Sequence, residues 1–209
     1  MKNMHPLTPS WQRAWACIGA RGDGAAVFTQ LLARYSEAHR HYHTLQHLTE
    51  CLGHFEAAAV RVNRTGELEM ALWFHDAVYE LRALDNEQRS ADWAQTALRS
   101  AGVPTAAAAR VHALVLITRH DALPQLPDEQ LLVDIDLSIL GAPPERFAQY
   151  ERQIRQEYSW VPEALFKSKR REILAMFLAR QPMYNTIYFQ NRLGAQAREN
   201  LGGALLQLG

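Results

Sequence analysis

The segment Met70–Tyr79 places one histidine and one aspartate, His75 and Asp76, among side chains that are almost entirely apolar. Because apolar residues lie on nearly every side of it, the segment is predicted to be a helix that runs through the core. A carboxylate beside an imidazole is costly to bury unless its charge is compensated. A divalent metal ion is the usual compensation, since it neutralises the carboxylate and binds a ring nitrogen.

A second apolar run, Leu131–Leu140, contains two more acids, Asp134 and Asp136. Burying either carboxylate raises the same energetic problem as burying Asp76. Because both apolar segments of this small chain contain acids that are costly to bury, we predict that the carboxylates of both meet at a single site that neutralises them.

Histidines are concentrated in a third stretch, where His41, His43 and His47 fall within seven residues. His43 and His47 are four residues apart, which predicts that they share a helix face at the rim of the core. One of these histidines, His75, Asp76 and one acid of the second run would make a mixed nitrogen and oxygen ligand set. Such a set suits Mn, Fe, Co, Ni or Zn better than Ca, and Mg is also compatible.

Apolar residues recur at helical spacing nearly throughout the chain, and no run alternates with the period of a strand. We therefore predict an all-α fold, a single-domain helical bundle over residues 1–209 with a metal site between its central helices. Amphipathic segments are expected around residues 11–18, 27–35 and 45–55. Further helices are expected over 66–79, 85–101, 105–118, 129–140, 144–158, 163–180 and 189–208. The tryptophans are predicted to lie in the core: Trp11, Trp15, Trp73, Trp93 and Trp160.

The amino-acid composition limits which binding partners and which cellular location are expected. Lys plus Arg and Asp plus Glu number 22 each, so the formal net charge is zero and neither nucleic acid nor an anionic membrane is an expected partner. No apolar stretch approaches the length of a membrane span, and residues 1–9 lack the apolar core of a signal peptide, so a cytoplasmic location is expected. Cys17 and Cys51 are too few for a disulfide framework and are predicted to be buried thiols. Amphipathic helices at both ends of the chain allow a homodimer.

In their order along the chain, these motifs resemble the HD-domain superfamily of all-helical, metal-dependent phosphohydrolases and phosphodiesterases. That superfamily has a lone histidine, then an HD doublet, then a distant aspartate. The chain is similar in particular to one bacterial subgroup of predicted metal-dependent HD phosphohydrolases, over roughly residues 10–205. The segments that carry the likeness are Tyr42-His43 with His47, Phe74 to Tyr79, Asp85 to Glu87 with Ser90, Asp134 to Leu137, Ile139 to Gly141, Arg155 to Tyr158 and Ala197 to Leu201.

The resemblance implies a divalent ion bound by His47, His75, Asp76 and Asp136. Asp136 is preferred to Asp134 because the second acid of such Asp-x-Asp segments is generally the ligand in the superfamily. Asp134 would then orient a water or a histidine. The implied substrate is a small phosphorylated molecule, a nucleotide or a related phosphate ester.

The implied chemistry is hydrolysis. A divalent ion lowers the pKa of bound water, so that hydroxide can attack phosphorus near neutral pH. Asp76 is the candidate both to bind the ion and to align the attacking water. His43, Arg40 and His120 are candidates for contacting phosphate or for protonating the leaving oxygen. One ion is favoured over two.

Other polar residues have both a structural and a functional interpretation. For His112, a role in the site and a purely structural role are equally supported by the sequence. Asp85 is expected to cap the helix that follows it, while Asn86 or Glu87 would face the mouth of the site in the functional alternative. Arg170 belongs to a basic run that is expected to be a solvated helix face, and its alternative role is to reach the phosphate or a partner subunit.

Two functions of other classes also fit the pattern. One is an HD module that binds a nucleotide or a protein partner without turnover. The other is a di-metal oxygenase or lyase, which needs a second ligand set that only His112, His120, Asp121 and Asp134 can supply.

Overall fold

The structure is a computed structural model that describes residues 5–58 and 64–208. Those residues form ten α-helices and no strand, which confirms the all-α prediction. The helices are α1 (Thr8–Cys17), α2 (Ala25–Tyr35), α3 (Leu45–Ala58), α4 (Thr65–Phe74), α5 (Asn86–Ser100), α6 (Thr105–Leu116), α7 (Pro127–Asp136), α8 (Pro144–Glu157), α9 (Glu163–Leu178) and α10 (Ile187–Leu208). Short 3-10 turns follow α6 at Ile117–Arg119 and α7 at Leu137–Gly141. No helix of the described ranges has both the length and the apolar character that a membrane crossing needs.

Backbone contacts divide the chain into two compact units, Met1–Val133 and Asp134–Gly209. Each unit is described by itself below, as unit 1 and unit 2. The prediction of a single domain over residues 1–209 stays a prediction.

Helix α4 is the centre of unit 1 and contacts α1, α3, α5 and α6. Every residue from Leu68 to Phe74 is buried, as expected for a helix without a polar face. Gly66 lets α1 approach closely, because a Cβ at that position would lie 2.9 Å from the backbone of Cys17. Trp11 then stacks on Trp15 and packs edge-on against Trp73, with ring centroids 4.9 and 5.3 Å away.

Unit 2 is built around α10, which packs against α9 and against the 3-10 turn Leu137–Gly141. The start of α10 is bound to Asp134, whose two carboxylate oxygens accept four hydrogen bonds. Oδ1 accepts from the backbone and side-chain amides of Asn185, both at 2.8 Å. Oδ2 accepts from the backbone amide of Thr186 at 2.6 Å and from its hydroxyl at 2.7 Å.

Several local predictions were wrong. Helix α4 ends at Phe74 rather than at Tyr79, so His75 and Asp76 begin a loop, residues 75–85, here called the HD loop. Asp85 makes no side-chain capping bond to α5. Cys17 is exposed, and Trp160 is 45% exposed, so neither side chain is part of the core.

Candidate metal centre

Three ligand atoms converge in unit 1 from two places in the sequence. His47 lies in the first turns of α3, and His75 and Asp76 follow the last residue of α4. The Nε2 atoms of His47 and His75 are 3.0 Å apart. Asp76 Oδ2 lies 3.1 Å from His75 Nε2 and 3.5 Å from His47 Nε2. The sequence predicted that these three residues would meet, and the structure brings them together.

The ring of His75 is oriented by the helix it follows. Its Nδ1 lies 2.7 Å from the carbonyl oxygen of Leu72, which can only accept a hydrogen bond. Nδ1 therefore carries a proton, and in the neutral ring Nε2 presents a lone pair. That lone pair is directed at His47 and Asp76, which is the arrangement of a metal-binding histidine held by a backbone carbonyl.

Asp76 Oδ2 is buried and accepts no hydrogen bond from the residues that the structure describes, although His75 Nε2 lies 3.1 Å away. A buried carboxylate oxygen without a donor is expensive. Two imidazole nitrogens and one carboxylate oxygen thus face one another at short range, and His75 Nε2 and His47 Nε2 share a hydrogen bond of 3.0 Å in which His47 donates. A cation in place of that proton would bind both imidazoles and neutralise the carboxylate.

The spacing of the three atoms suits one ion. Their separations define a circle of radius about 1.9 Å, slightly less than the 2.0–2.2 Å of usual bonds from nitrogen or carboxylate oxygen to a divalent metal. An ion just outside the plane of the three atoms therefore makes a normal bond to each. The separations of the three atoms are thus compatible with one divalent cation.

The electrostatics favour an ionised Asp76. Burial raises the pKa of its carboxyl, but the nearby imidazoles of His75, His43 and His47 lower it more, so its pKa lies below the ordinary range. The carboxylate is therefore charged at neutral pH, which is the form that binds a metal.

Arg40 and Tyr35 hold the HD loop at its first residues. Arg40 donates from Nη1 to the carbonyl of Asp76 at 2.6 Å and from Nη2 to that of Ala77 at 3.2 Å. The Tyr35 hydroxyl accepts from the backbone amide of Asp76 at 3.3 Å and lies 3.2 Å from the carbonyl of Trp73. These bonds satisfy backbone groups where α4 ends, which explains why the helix stops before Asp76.

The rest of the loop is held by α5. The buried Ser90 hydroxyl accepts from the backbone amide of Val78 at 2.9 Å. The Asn86 side chain pairs with the backbone of Glu80, accepting from its amide and donating to its carbonyl, both at 3.0 Å. Asn86 is thus a positioning residue for the loop that carries Asp76.

Arg40 has a different place from the one predicted. Its side chain is fully buried, and besides the two loop carbonyls it donates to Glu37 at 3.1 Å and to the carbonyl of His43 at 3.2 Å. Four bonds of this kind leave little of the guanidinium for a substrate. The structure therefore gives Arg40 a positioning role in place of the predicted phosphate contact.

The predicted histidines occupy several positions. His47 is 2% exposed, so its placement at the rim of the core was wrong. His43 precedes α3, is half-buried, and stacks on Tyr79 with ring centroids 4.1 Å apart. His120 follows the 3-10 turn with φ of 56° and is half-buried. His112 Nε2 lies 2.9 Å from Asp92 Oδ1, a pair at the surface between α6 and α5.

The predicted residues of unit 2 are placed as follows. Asp134 uses both oxygens at the start of α10, which leaves no lone pair directed at a metal-bound water or histidine and so replaces the orienting role predicted for it. Asp136 is the last residue of α7 and is half-buried; its role as a ligand stays a prediction. Arg170 is buried and forms a two-pronged ion pair with Glu151, so the expected solvated face was wrong for this residue.

Sequence reasoning missed two residues of this region, Cys51 and Glu37. Cys51 is buried, and its Sγ, His47 and His75 each offer a ligand atom within 4.8 Å of the others. The signal was present, because Cys51 is four residues after His47 and so shares its helix face. Glu37 binds Arg40 through contacts that no local pattern predicts.

A cavity of about 720 Å³ also lies in unit 1, bordered by α2, α5 and the HD loop. Its wall contains Arg34, Arg89, Glu37, Trp93 and Val78. Arg34 is paired with Glu37 at 2.9 Å. The volume is typical of a pocket for a small molecule, and the wall carries one more positive than negative side chain.

Comparison with models of known protein families, with curated proteins and with solved structures found no match to this chain. The likeness to HD-domain proteins therefore remains a resemblance of motifs, and the functional argument depends on the geometry of the site.

Proposed function

We propose that the protein is a divalent-metal-dependent phosphohydrolase that acts on a small phosphorylated molecule, a nucleotide or a related phosphate ester. The observation that carries the proposal is the buried Asp76 Oδ2, which accepts no hydrogen bond from the described residues and lies within 3.5 Å of two imidazole nitrogens. A divalent cation would neutralise this buried carboxylate and take the lone pairs of both imidazoles.

Each residue has a defined task in this proposal. A divalent ion held by His47, His75 and Asp76 would lower the pKa of bound water and polarise a phosphoryl oxygen. Asp76 has a second carboxylate oxygen that can align the attacking water. His43 lies close enough to lower the pKa of Asp76 and is the candidate proton donor to the leaving oxygen.

The proposal assigns the substrate to the open cavity of unit 1. Its volume suits a molecule of nucleotide size, and Arg34 and Arg89 offer guanidinium groups that bind phosphate well. Val78, two residues after Asp76, belongs to its wall. Trp93 provides an aromatic surface in the same wall.

The fourth ligand predicted by the sequence, Asp136, is part of the proposal. If it binds the ion, Asp136→Asn reduces the metal content of purified protein, whereas Asp121→Asn, at an exposed acid, does not. Equal metal content in the two variants would remove Asp136 from the ligand set and leave the other three in place.

The central experiment compares Asp76→Ala with Asp92→Ala. Both variants remove an aspartate that lies beside a histidine, but Asp92 is 59% exposed and pairs with His112. We expect wild type and Asp92→Ala to retain about one transition metal per chain by elemental mass spectrometry, and Asp76→Ala to lose it. Turnover of nucleotides and phosphate esters should disappear with the metal, while circular dichroism stays helical.

Other outcomes separate the alternatives. Wild type that holds no metal after incubation with Mn²⁺ would leave His75 and Asp76 as a structural pair and would favour a binding module without turnover. Iron near two atoms per chain would favour the di-metal oxygenase. Normal hydrolysis by Asp76→Ala would contradict the assigned mechanism.

A further inference from the structure

The outward face of α9 in unit 2 exposes large apolar side chains. The inward residues of this helix, Arg170, Leu174 and Phe177, are buried, and the helix packs against α10. On the other side, Leu165 and Met176 are 51% and 52% exposed. A single exposed leucine is ordinary, but large apolar side chains in a row along one helix face indicate a contact surface.

Four residues form one stripe along that face, since they follow one another at steps of four, three and four residues. This is the spacing of the seam between two helices that pack along their lengths. The stripe, here called the α9 seam, reads Leu165, Lys169, Glu172 and Met176. Apolar residues therefore lie at its ends and two opposite charges at its centre. The side chains of Lys169 and Glu172 are 64% and 59% exposed.

We propose that the α9 seam is the interface of a homodimer, in which α9 packs antiparallel against α9 of a second copy of this chain. In a two-fold interface, a contact of residue i with residue j is repeated as a contact of j with i. Leu165 would then contact the partner's Met176, and Lys169 would contact the partner's Glu172. Both pairs are centred on the same point of the helix, between positions 170 and 171, so one two-fold axis relates them all.

A second copy is the partner that this order of charges fits. In a parallel pair, Lys169 would face the partner's Lys169 and Glu172 the partner's Glu172, so like charges would repel. The antiparallel pair instead makes two contacts between opposite charges and two between apolar side chains. Because Lys169 Nζ also lies 2.8 Å from Glu172 Oε2 within the same chain, the four charges of the dimer form one network. The seam is thus complementary to itself.

The residues beside the seam fit the same arrangement. Ile173, which is 41% exposed, and the half-buried Phe166 lie along one edge of it. Ser168 and Ala175, both exposed, lie along the other edge. The two-fold axis brings each edge against the same edge of the partner, so apolar side chains meet on one side and small ones on the other.

The length of the helix sets the strength of the contact. Helix α9 has 16 residues and is therefore about 24 Å long. A pair of helices this short makes a smaller contact than the roughly 800 Å² per partner of a standard interface. We therefore expect a reversible dimer with a dissociation constant in the micromolar range.

The test is sedimentation velocity of the full-length chain from micromolar to millimolar concentration, where wild type should pass from monomer to dimer. Lys169→Glu sets like charges against each other twice and should raise the dissociation constant at least about tenfold. Lys167→Glu is the matched control. Lys167 pairs with Glu163 of its own helix at 2.9 Å, as Lys169 pairs with Glu172 at 2.8 Å, but it lies outside the seam. The control should dimerise like wild type.

A mixture of two variants provides the decisive measurement. Glu172→Lys should also weaken self-association, because it sets lysine against lysine. The Lys169→Glu and Glu172→Lys proteins should nevertheless associate with each other, since one seam is then negative and the other positive. A folding defect in either variant cannot produce this recovery.

Three results would overturn the proposal. Wild type that stays monomeric over the whole range would leave the face to a different partner. Dimerisation of Lys169→Glu as strong as that of the control would place the interface elsewhere on the molecule. Failure of the two variants to associate when mixed would exclude the antiparallel pairing. None of these results depends on the proposed metal site, because its ligands do not belong to the seam.

Discussion

Replacing Arg40 with methionine should destabilise unit 1 strongly, because the guanidinium is bound to the protein's own carbonyls and to Glu37. Its side chain is fully buried and donates to three carbonyls and to the Glu37 carboxylate. Methionine fills much of the same volume but donates no hydrogen bond. The variant therefore isolates the loss of the guanidinium from the loss of packing.

The magnitude follows from the groups left behind. Truncation leaves the carbonyls of His43, Asp76 and Ala77 without this donor, at about 1–3 kcal/mol for each that stays buried, and deprives Glu37 of its buried partner. Glu37 is 26% exposed and keeps its pair with Arg34, so the unsatisfied carbonyls make up most of the cost. We expect a loss near 4 kcal/mol in the free energy of unfolding, which corresponds to a fall in Tm of about 8–16 °C for a chain of this size.

The assay is denaturant unfolding followed by circular dichroism, with Arg34→Met as the matched control. Arg34 also pairs with Glu37, at 2.9 Å, but its side chain is 45% exposed. Exposed ion pairs contribute about 0–1 kcal/mol, so the control should unfold close to wild type. The same Arg40→Met protein should retain less metal, because the carbonyl of Asp76 is no longer held.

A difference below about 1 kcal/mol between Arg40→Met and Arg34→Met would refute the argument. It would mean that the HD loop is held by its other contacts, those of Tyr35, Ser90 and Asn86. Normal metal content with a large loss of stability would instead separate the folding role of Arg40 from any role in the site.

Two further predictions concern acids with defined partners. Burial raises the pKa of Glu37, but Arg34 and Arg40 outweigh it and hold the pKa below its ordinary value. The Glu37 carboxylate therefore stabilises the folded protein at pH values above its unfolded-state pKa of about 4.3. This contribution to the free energy of unfolding is lost as the pH falls through the lower pKa that Glu37 has in the folded state. Unfolding of wild type and Glu37→Gln should accordingly differ most near neutral pH and converge in acid; a constant difference would contradict the pairing. In unit 2, Asp134→Asn replaces one carboxylate oxygen with an NH₂ group, which faces two of the four hydrogen-bond donors that Asp134 binds. The free energy of unfolding should therefore fall by about 2–4 kcal/mol. An unchanged unfolding midpoint would show that the start of α10 does not depend on Asp134.

The helical class and the central helix were predictable because they depend on local pattern. Apolar residues on all sides of the segment before His75 leave it no stable place except the core, and Leu68–Phe74 are buried. The cost of burying charge predicted that one of the nearby histidines would meet His75 and Asp76, and the resemblance to HD-domain proteins implied that it is His47.

Other features were not accessible from pattern because they arise between residues that are distant in the chain. The hydrophobic pattern continues to Tyr79, yet the helix ends at Phe74 because Tyr35 and Arg40, more than thirty residues earlier, bind the backbone around Asp76. Arg40 itself looked like a phosphate ligand, since a sequence does not show which carbonyls a guanidinium will meet.

Local periodicity and the cost of burying charge thus account for the all-helical class and for a site at His75 and Asp76, while the choice of His47 came from the resemblance to HD-domain proteins. Long-range packing accounts for the end of α4, the enclosure of Arg40 and the approach of the Cys51 sulfur to the imidazole of His47. The physical distinction is that periodicity acts within a few residues of the chain. Hydrogen bonds and metal geometry, in contrast, depend on distances that only the folded backbone sets.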